Sequence, residues 1–433
     1  MLDDAIRKWN PWWAEGRVSP NMLGANRDKL KNVIGSLSTG LIKALIGPRR
    51  AGKTTLLYQT IEHLIEKGVP SKNIVFLNFD DNNIFNSDLD ALITQCKKIN
   101  PSFTHLFLDE VQEKKDWDRW IRTLYDTRQF SQIFVTGSST SLLEKEVSDV
   151  LAGRHVSFRV LPFSFKEFLS YSGWTDMSQE KLEHQKDLLL HYLQRYIKFG
   201  GYPEALSMDE GNRVTYLNDL FGDMIARDVA ARHKADHNIA KRIAYYMVSN
   251  SSRTLTHRSI SNACGVAQET VSKYLAYLEE AGMVHPLRMF SFKLKEQMRE
   301  INKYYVIDTG LANAVSFKFS DDTGRMFENL VFLELLGRYQ DRAEFELFYY
   351  TEKDGKEVDF IIKEKERVTG LVQACWDMTD EKTRKREVSA ALRAMEDLDV
   401  PSSLIITENH EGVETLEGKT ITYLPVWKWM LQR

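Results

Sequence analysis

Apolar and polar residues alternate in blocks along the first third of the chain, where short apolar runs are separated by longer mixed stretches. Five apolar runs predict β-strands at residues 41–46, 74–79, 104–108, 132–136 and 156–161. The stretches between them predict helices that include residues 54–67, 87–98 and 116–129. Strands that alternate with helices form a parallel sheet covered on both faces. The pattern therefore predicts an α/β fold.

The regions on either side of this core have other patterns. Residues 1–25 contain Pro11-Trp12-Trp13 and little periodicity, so we expect an arm whose tryptophans pack on the core. In residues 166–250 apolar residues recur three and four positions apart, which predicts a helical bundle. The charged run from Arg227 to Lys234 predicts a solvated helix face.

A glycine-rich loop lies between the first predicted strand and the next helix. It matches the pattern G-x-x-x-x-G-K-[ST] with Gly47, Pro48, Arg49, Arg50, Ala51, Gly52, Lys53 and Thr54, followed by Thr55. The glycines let backbone N–H groups point at phosphate oxygens, and the helix N-terminus adds its positive dipole end. Lys53 would contact the β- and γ-phosphates of ATP, and the Thr54 hydroxyl would bind Mg²⁺. A chance turn is the alternative, but the flanking strand and helix favour the phosphate loop.

Two further strands end in polar residues that suit the same site. The run at 104–108 leads into Asp109, which would hold Mg²⁺ through water, and Glu110, which would act on the attacking water as general base. The strand at 132–136 leads into Thr136-Gly137-Ser138-Ser139, where Ser138 or Ser139 would lie beside the γ-phosphate. Helix capping by Ser139 or Thr140 is the alternative at that place.

The composition of the chain mainly excludes some classes of protein and some kinds of site. The chain has 433 residues, 43% hydrophobic and 27% charged, with a net charge of −3, which is typical of a globular protein with about three domains. Contact with nucleic acid or membrane would therefore need a local patch of charge. Cys96, Cys264 and Cys375 are far apart and form no metal or disulfide framework. Without an apolar run of about 18 residues or an apolar signal core, we expect a cytoplasmic protein that does not contact membranes.

Four segments together resemble a family of bacterial and archaeal AAA+ ATPases, distant relatives of the origin-recognition and signal-transduction ATPases. They are Gly47–Thr55, LFLDEVQ at 106–112, TGSS at 136–139 and GRHVSFRVLPFSFKEF at 153–168. The resemblance implies that Arg154 is a finger touching a neighbouring subunit's γ-phosphate in a homo-oligomer; a surface arginine is the alternative. It also implies that Gly200-Gly201-Tyr202-Pro203 is a lid motif whose Pro203 packs on the adenine, although Gly-Gly before Pro also marks turns.

Residues 254–308 resemble a winged helix. A short helix around Ile260–Cys264 and a second one from about residue 268 to 281 precede strands at about 283–290 and 303–307. In a DNA-binding copy, the groove-facing and phosphate-contacting residues would be Gln268, Thr270, Ser272, Lys273, Lys293, Lys295, Arg299 and Lys303. Glu269, Glu296 and Glu300 lie on the same segment and favour a protein-contact module instead.

Residues 311–433 resemble the nuclease-like domain of the PD-(D/E)xK type that this family carries, with a helix from Gly324 and strands at 345–350, 357–362 and 371–375. The resemblance implies an Mg²⁺ site of acidic residues, with a lysine two residues after the second acid. Glu328 and Asp359 match, but Gln373 replaces the second acid and Cys375 the lysine. We expect no metal-dependent cleavage, because only Asp359 and Glu328 remain as carboxylates. The domain would instead dock a protein partner through the basic run Lys382, Arg384, Lys385 and Arg386, for which a solvated helix face is the alternative.

The sequence thus predicts a P-loop AAA+ ATPase of five regions. They are an N-terminal arm at 1–25, the ATPase core at 26–165, a helical lid at 166–250, a winged helix at 251–310 and the nuclease-like domain at 311–433. We expect Mg²⁺-dependent ATP binding and hydrolysis, coupled to the binding of DNA or a protein partner. The alternatives are a nucleotide-gated binding module with slow turnover and an ATP-driven nuclease.

Overall fold

The structure is a computed structural model that describes residues 2–138, 151–293, 301–316, 323–351 and 355–432. Its contacts divide the chain into two compact units. The first comprises the residues up to Leu161 with Glu280–Gly282, and the second comprises Pro162–Glu279 and the residues from Met283 onward.

The first unit is built on a parallel sheet of five strands. The strands are β1 (Ile42–Ile46), β2 (Ile74–Asn78), β3 (His105–Asp109), β4 (Gln132–Gly137) and β5 (His155–Arg159), in the order β2-β3-β4-β1-β5. Each begins and ends within two residues of the strand predicted from the sequence. The parallel α/β core is therefore confirmed.

Eight helices among the described residues of the first unit connect and cover these strands. They are α1 (Leu2–Lys8), α2 (Trp12–Glu15), α3 (Pro20–Leu23), α4 (Leu30–Gly35), α5 (Lys53–Glu66), α6 (Asn82–Phe85), α7 (Leu89–Ile99) and α8 (Trp117–Asp126). Short 3₁₀ helices lie at Ser36–Thr39, Ser71–Asn73 and Val111–Glu113.

The sheet is buried on both faces, as a parallel sheet must be. On β1, Ile42, Ala44 and Ile46 belong to one apolar cluster, whereas Leu45 belongs to the cluster on the opposite face. Trp12 is fully buried in the second cluster, and the indole N–H groups of Trp12 and Trp13 both donate to the carbonyl of Ile74, at 3.1 and 2.8 Å. The expectation that the N-terminal tryptophans pack on the core is confirmed.

The second unit begins with the predicted helical region. Its helices are α9 (Phe165–Tyr171), α10 (Gln179–His184), α11 (Lys186–Phe199), α12 (Pro203–Leu206), α13 (Glu210–Asp223) and α14 (His237–Ser249), with a π-helix at Met224–Ala231. The interpretation of the charged run at 227–234 as a solvated face is wrong for Asp228, whose side chain is buried. The π-helix places Asp228 among buried neighbours rather than on the solvent side.

The rest of the second unit forms one mixed sheet of nine strands. They are β6 (Arg253–Thr256), β7 (Val284–Met289), β8 (Ile301–Val306), β9 (Phe345–Thr351), β10 (Glu357–Glu364), β11 (Arg367–Ala374), β12 (Ser402–Thr407), β13 (Gly412–Leu416) and β14 (Lys419–Pro425). Their order is β13-β14-β12-β11-β10-β9-β7-β8-β6. Strands β6–β8 come from the segment for which a winged helix is predicted, here called the winged-helix-like segment. They are joined to the C-terminal strands because β7 pairs in parallel with β9.

Six helices accompany this sheet in the described residues. They are α15 (His257–Cys264), α16 (Gln268–Glu280), α17 (Thr309–Val315), α18 (Thr323–Tyr339), α19 (Glu381–Asp397) and α20 (Val426–Leu431). Strands β9 and β10 pair antiparallel, which confirms the hairpin predicted between them. No helix in the described part of the chain has the length and apolar character needed to span a bilayer.

Candidate functional site

The glycine-rich loop lies between the end of β1 and the first residue of α5. Gly52 adopts φ = 94°, in the left-handed region that disfavours other residues. Gly47 passes so close to the chain after β5 that an added Cβ would lie 2.0 Å from the carbonyl oxygen of Val160. Both glycines are therefore required by the loop's backbone path.

Arg27 supports this loop and was not predicted from the sequence. Its guanidinium is buried and donates to the carbonyl oxygens of Ala51, at 2.6 Å, and Leu161, at 2.7 Å. A Cβ on Gly52 would lie 2.6 Å from Arg27 Nη1. The Arg27 side chain therefore leaves no space for a larger residue at position 52. No local pattern indicates this role, because Arg27 lies 24 residues before its partner in the loop.

Lys53 begins α5 and is only 3% exposed. Its ammonium donates to the carbonyl oxygens of Gly47, at 3.0 Å, and Pro48, at 3.1 Å. It also lies 3.8 Å from the carboxylate of Glu110. The loop thus concentrates one positive charge where the backbone turns, which is the arrangement that binds phosphate.

Asp109, the last residue of β3, is the centre of the hydrogen-bond network. Its Oδ2 accepts from the Thr54 hydroxyl at 2.9 Å and from the Asn78 amide at 3.4 Å, and its Oδ1 accepts from the Thr136 hydroxyl at 2.5 Å. Burial, and then the neighbouring Glu110 carboxylate, raise the pKa of Asp109 to about 7, although Thr136, Thr54 and Lys53 act in the opposite direction. The structure therefore brings Thr54 and Asp109 together as predicted.

Glu110 follows in the left-handed conformation, with φ = 55° and ψ = 49°. A non-glycine residue in this region is uncommon and is found more often at functional sites. Its N–H donates to Thr136 Oγ1 at 3.0 Å, which fixes its backbone to β4. The amide of Gln112 donates to the Glu110 carboxylate and, at 3.4 Å, to the hydroxyl of the buried Ser138. Gln112 was not singled out from the sequence, whereas Ser138 lies at this edge as predicted; Ser139 is outside the described residues.

Arg154 is not part of this cluster. It directly precedes β5, and its carbonyl accepts from the N–H of Ile42, so it lies at the edge of the sheet where the strands begin. Its guanidinium forms an ion pair with Asp126, with Nε 2.7 Å from Oδ1. The loop follows the opposite ends of the strands, so Arg154 does not contribute to the site of its own chain.

The Gly200–Pro203 motif lies in the second unit and has a packing role there. The N–H of Gly201 donates to Asp308 at 2.7 Å. A Cβ on Gly200 would lie 2.0 Å from Asp308, and one on Gly201 would lie 2.3 Å from the carbonyl oxygen of Phe163. Pro203 is half-buried at the start of α12.

The winged-helix-like segment presents part of the predicted DNA-binding set. Ser272, Lys273 and Lys293 are exposed, whereas Thr270 is half-buried. Lys295 and Arg299 lie outside the described residues. The assignment of Lys303 to the basic patch is wrong, because its side chain is buried against three carboxylates.

These carboxylates belong to a cleft of about 630 Å³ in the second unit. Glu328 and Asp359 line it as predicted, and so do Gln373 and Cys375. Gln373 accepts from the N–H of Asp359 at 3.0 Å and donates to Glu387, whereas the buried Cys375 thiol donates to the carbonyl of Asp377 at 3.4 Å. The position predicted for a catalytic lysine thus holds a thiol that is directed at the backbone.

The expectation that only Asp359 and Glu328 remain as carboxylates in this cleft is wrong. Glu357 on β10 and Glu387 on α19 also line it, and neither is part of the sequence pattern of the resemblance. The basic run of α19 is largely paired with carboxylates. Arg384 pairs with Glu414, Lys385 with Glu381 and Arg386 with Glu387.

Three family models match the chain. One, described as an AAA domain, matches residues 39–169. The other two are domains of unknown function, DUF8612 and DUF4143, which match residues 190–322 and 323–429. The AAA match contains the loop, Asp109 and Glu110, and this fold supports ATP binding and hydrolysis in general.

Similar proteins extend over nearly the whole chain. Uncharacterized protein MJ1544 of Methanocaldococcus jannaschii is 35% identical over 407 residues, which cover 90% of this chain and 88% of the relative. An uncharacterized protein of Haemophilus influenzae is 27% identical over 416 residues, which cover 93% of this chain and 97% of the relative. The solved structure of the Walker-type ATPase paby2304 of Pyrococcus abyssi matches with 13% identity and a TM-score of 0.44, covering 67% of this chain and 95% of that chain.

Proposed function

We propose that the first unit is a Mg²⁺-dependent ATPase, because residues 39–169 match an AAA domain. The chain belongs to the same family as its Methanocaldococcus jannaschii relative. Lys53 and Thr54 would bind the phosphates and the metal, and Asp109 and Glu110 would complete the site. The observation that carries the proposal is the hydrogen bond of 2.9 Å between Thr54 Oγ1 and Asp109 Oδ2. Fifty-five residues separate these two side chains along the sequence.

The residues at this position fit Mg²⁺. A hydroxyl and a carboxylate oxygen lie side by side, and both are hard oxygen ligands of the kind that this ion takes together with water and phosphate oxygens. The metal would offset charge on the phosphates when bound. Thr136 and Asn78 hold the Asp109 carboxylate in place from two other strands.

The remaining side chains supply charge and a base. The Lys53 ammonium would leave the carbonyls of Gly47 and Pro48 for the β- and γ-phosphate oxygens, which offer full negative charge. Glu110 would orient a water molecule toward the γ-phosphorus and accept its proton as the water oxygen bonds to phosphorus, while the bond to the bridging oxygen breaks and ADP leaves. Gln112 and Ser138 would fix the Glu110 carboxylate, because the amide of Gln112 contacts both.

The nucleotide state would be coupled to the second unit's binding of DNA or a protein partner. The support is the solvent-exposed set Ser272, Lys273 and Lys293 on α16 and after β7. If the coupling acts on hydrolysis, DNA or partner raises turnover. If the chain is a nucleotide-gated binding module, ATP raises partner affinity while turnover stays low. The nuclease alternative is disfavoured because Glu328 and Asp359, two carboxylates that line the cleft, are paired with Lys303.

The test is ATP binding and turnover, measured with and without linear, circular and single-stranded DNA. Lys53→Ala should abolish tight ATP binding, because it removes the charge directed at the phosphates. Glu110→Gln should bind ATP with little change and lower kcat by about 10²–10⁴-fold, the usual contribution of a general base. Lys67→Ala, an exposed lysine directly after α5, is the matched control and should behave as wild type. Near wild-type turnover in Glu110→Gln would remove Glu110 from the role of base.

A further inference from the structure

Three carboxylates that line the acidic cleft of the second unit are bound by a cation of the protein itself. The ammonium of Lys303, on β8, lies 2.7 Å from Glu328 Oε1 and 3.0 Å from Asp359 Oδ1, and it also contacts the carboxylate of Glu357. An ammonium has three donors. The number of donors therefore equals the number of carboxylates that the ammonium contacts.

We propose that Lys303 takes the place of a divalent metal ion in this cleft, so that the second unit holds an internal ion cluster and no metal centre. This inference does not depend on ATP hydrolysis by the first unit. The resemblance to nuclease-like domains implies Mg²⁺ here, but the residues present do not fit it.

The charge of Lys303 is secured by its surroundings. Burial alone would lower the pKa of the ammonium, but Tyr305, Asp359, Glu328 and Glu357 together raise that pKa well above its ordinary value. The side chain is 3% exposed, so solvent does not compete for the three donors. These neighbours therefore favour the ammonium form of Lys303.

Two carboxylates of the cluster have further partners. Glu328 Oε1, the oxygen that Lys303 contacts, also accepts from the Tyr305 hydroxyl at 2.7 Å, and Asp359 Oδ2 accepts from the N–H of Ala374 at 3.0 Å. Glu387 is bound by Gln373 on one oxygen and by Arg386 on the other. Mg²⁺ binds oxygens at about 2.0–2.1 Å in near-octahedral geometry. The carboxylate oxygens of the cluster cannot take up this geometry around a metal ion while they contact the Lys303 ammonium. In the described residues, no group of three or more His, Cys, Asp and Glu side chains is arranged for a metal ion.

The position of Lys303 explains why its charge is not available to DNA. It lies on β8, next to the edge strand β6, whereas its carboxylate partners lie on α18 and β10. The ion cluster therefore ties the winged-helix-like strands to the C-terminal strands through charge as well as through the shared sheet. It would leave the cleft as a binding surface rather than a hydrolytic centre.

The proposal is tested by titrating Mn²⁺ against the full chain without nucleotide and counting bound ions by electron paramagnetic resonance. All proteins would carry Asp109→Asn to remove the metal ligand of the first unit. The parent should bind no Mn²⁺ in the cleft. Adding Asp359→Asn should therefore leave the number of bound Mn²⁺ ions unchanged. Replacing the lysine by Lys303→Met frees three carboxylates and should add one bound Mn²⁺. That ion should be lost when Asp359→Asn is added.

Lys363→Met is the matched control, because Lys363 also lies in this sheet and pairs with a carboxylate, Glu346, at 2.7 Å, but outside the cleft. It should bind Mn²⁺ as the parent does. Two results would overturn the proposal: an ion bound by the parent and lost with Asp359→Asn, or a folded Lys303→Met protein with no additional ion. If Lys303→Met fails to fold, as judged by circular dichroism, the comparison of the parent with Asp359→Asn still decides whether the cleft holds a metal.

Discussion

Asp109 is a buried carboxylate whose protonation decides how well the nucleotide site can bind a metal. Its pKa is raised to about 7, first by burial and then by Glu110, so the side chain is mostly protonated at pH 6 without nucleotide. Mg²⁺ binds the ionised form. We expect Mg²⁺·ATP binding at pH 6 to release close to one proton from Asp109, and the apparent Kd to rise as the pH falls below 7. Calorimetry in two buffers of different ionisation enthalpy measures the proton release.

The control for this prediction is Asp109→Asn, which has no proton to release. The difference between the two proteins separates Asp109 from the protonation of ATP itself. In the nucleotide-free protein the pKa of Asp109 in the folded state lies above its unfolded value of 3.8. Protonated Asp109 therefore contributes to the free energy of unfolding below about pH 4, and this contribution is lost as the pH rises through 7. Equal proton release by the two proteins at pH 6 would show that Asp109 is already ionised.

Arg27 positions the phosphate loop without touching a ligand. Its two hydrogen bonds hold the carbonyls of Ala51 and Leu161, and removing a donor from a buried acceptor costs about 1–3 kcal/mol. We expect Arg27→Ala to weaken ATP binding by about tenfold and to lower the thermal midpoint of the first unit. Fluorescent-ATP titration and calorimetry measure the two effects. Arg17→Ala, an exposed arginine in the same N-terminal segment, should change neither.

At the scale of elements, the sequence predicted those strands and site residues that a local pattern of residues indicates. The five strands of the first unit were found because each is a short apolar run between amphipathic stretches. Lys53 and Thr54 were found because they end the glycine-rich loop pattern, and Asp109 and Glu110 because they follow directly after an apolar run. In a parallel sheet the carboxyl ends of the strands share one edge, so residues after different strands meet there. Arg27 and Gln112 were missed, and Lys303 was wrongly assigned to a basic patch, because their partners are set by tertiary packing, which leaves no spacing rule in the sequence.

The N-terminal helices depend on one element-scale contact that can be measured. Trp12 is fully buried between Tyr58 and Phe76, at ring distances of 6.2 and 6.4 Å. Replacing a buried tryptophan by alanine typically costs about 3–5 kcal/mol. We therefore expect Trp12→Ala to lower the free energy of unfolding by about that amount in urea titrations. Trp13→Ala is the matched control, since Trp13 donates to the same carbonyl but is only half-buried, and it should cost clearly less.

At the scale of the whole molecule, the nine-stranded sheet is the feature that was predicted least well from the sequence. The strand periods of β6–β8 and β9–β14 are local, but the parallel pairing of β7 with β9, at Arg288–Phe348 and Met289–Tyr349, joins segments about 60 residues apart. Such pairing is decided by which edges remain available after the local hairpins form. The ion cluster around Lys303 depends on this pairing, because the lysine and its carboxylates come from the two joined segments.

The position of Arg154 bears on whether ATP hydrolysis requires an assembly of several copies of the chain. The residue directly precedes β5, while the loop follows the end of β1, a separation of about 20 Å along the strands at 3.3 Å per residue. A role in hydrolysis therefore requires a neighbouring copy. If Arg154 acts as a finger in trans, Arg154→Ala should retain ATP binding and lose most turnover. Mixing it with Glu110→Gln should restore part of the activity, because each protein supplies what the other lacks.

The in-chain ion pair with Asp126 provides the control that separates the two roles of Arg154. An exposed pair of this kind contributes little to stability because solvent screens it. A purely structural arginine therefore predicts small and equal effects of Arg154→Ala and Asp126→Asn on stability and turnover. A finger predicts different results, because Asp126→Asn leaves the guanidinium intact and releases it from its partner. In that case turnover per site should rise with protein concentration in the wild type and in Asp126→Asn, but not in Arg154→Ala. Turnover independent of concentration in a strictly monomeric wild type would assign Arg154 to the ion pair alone.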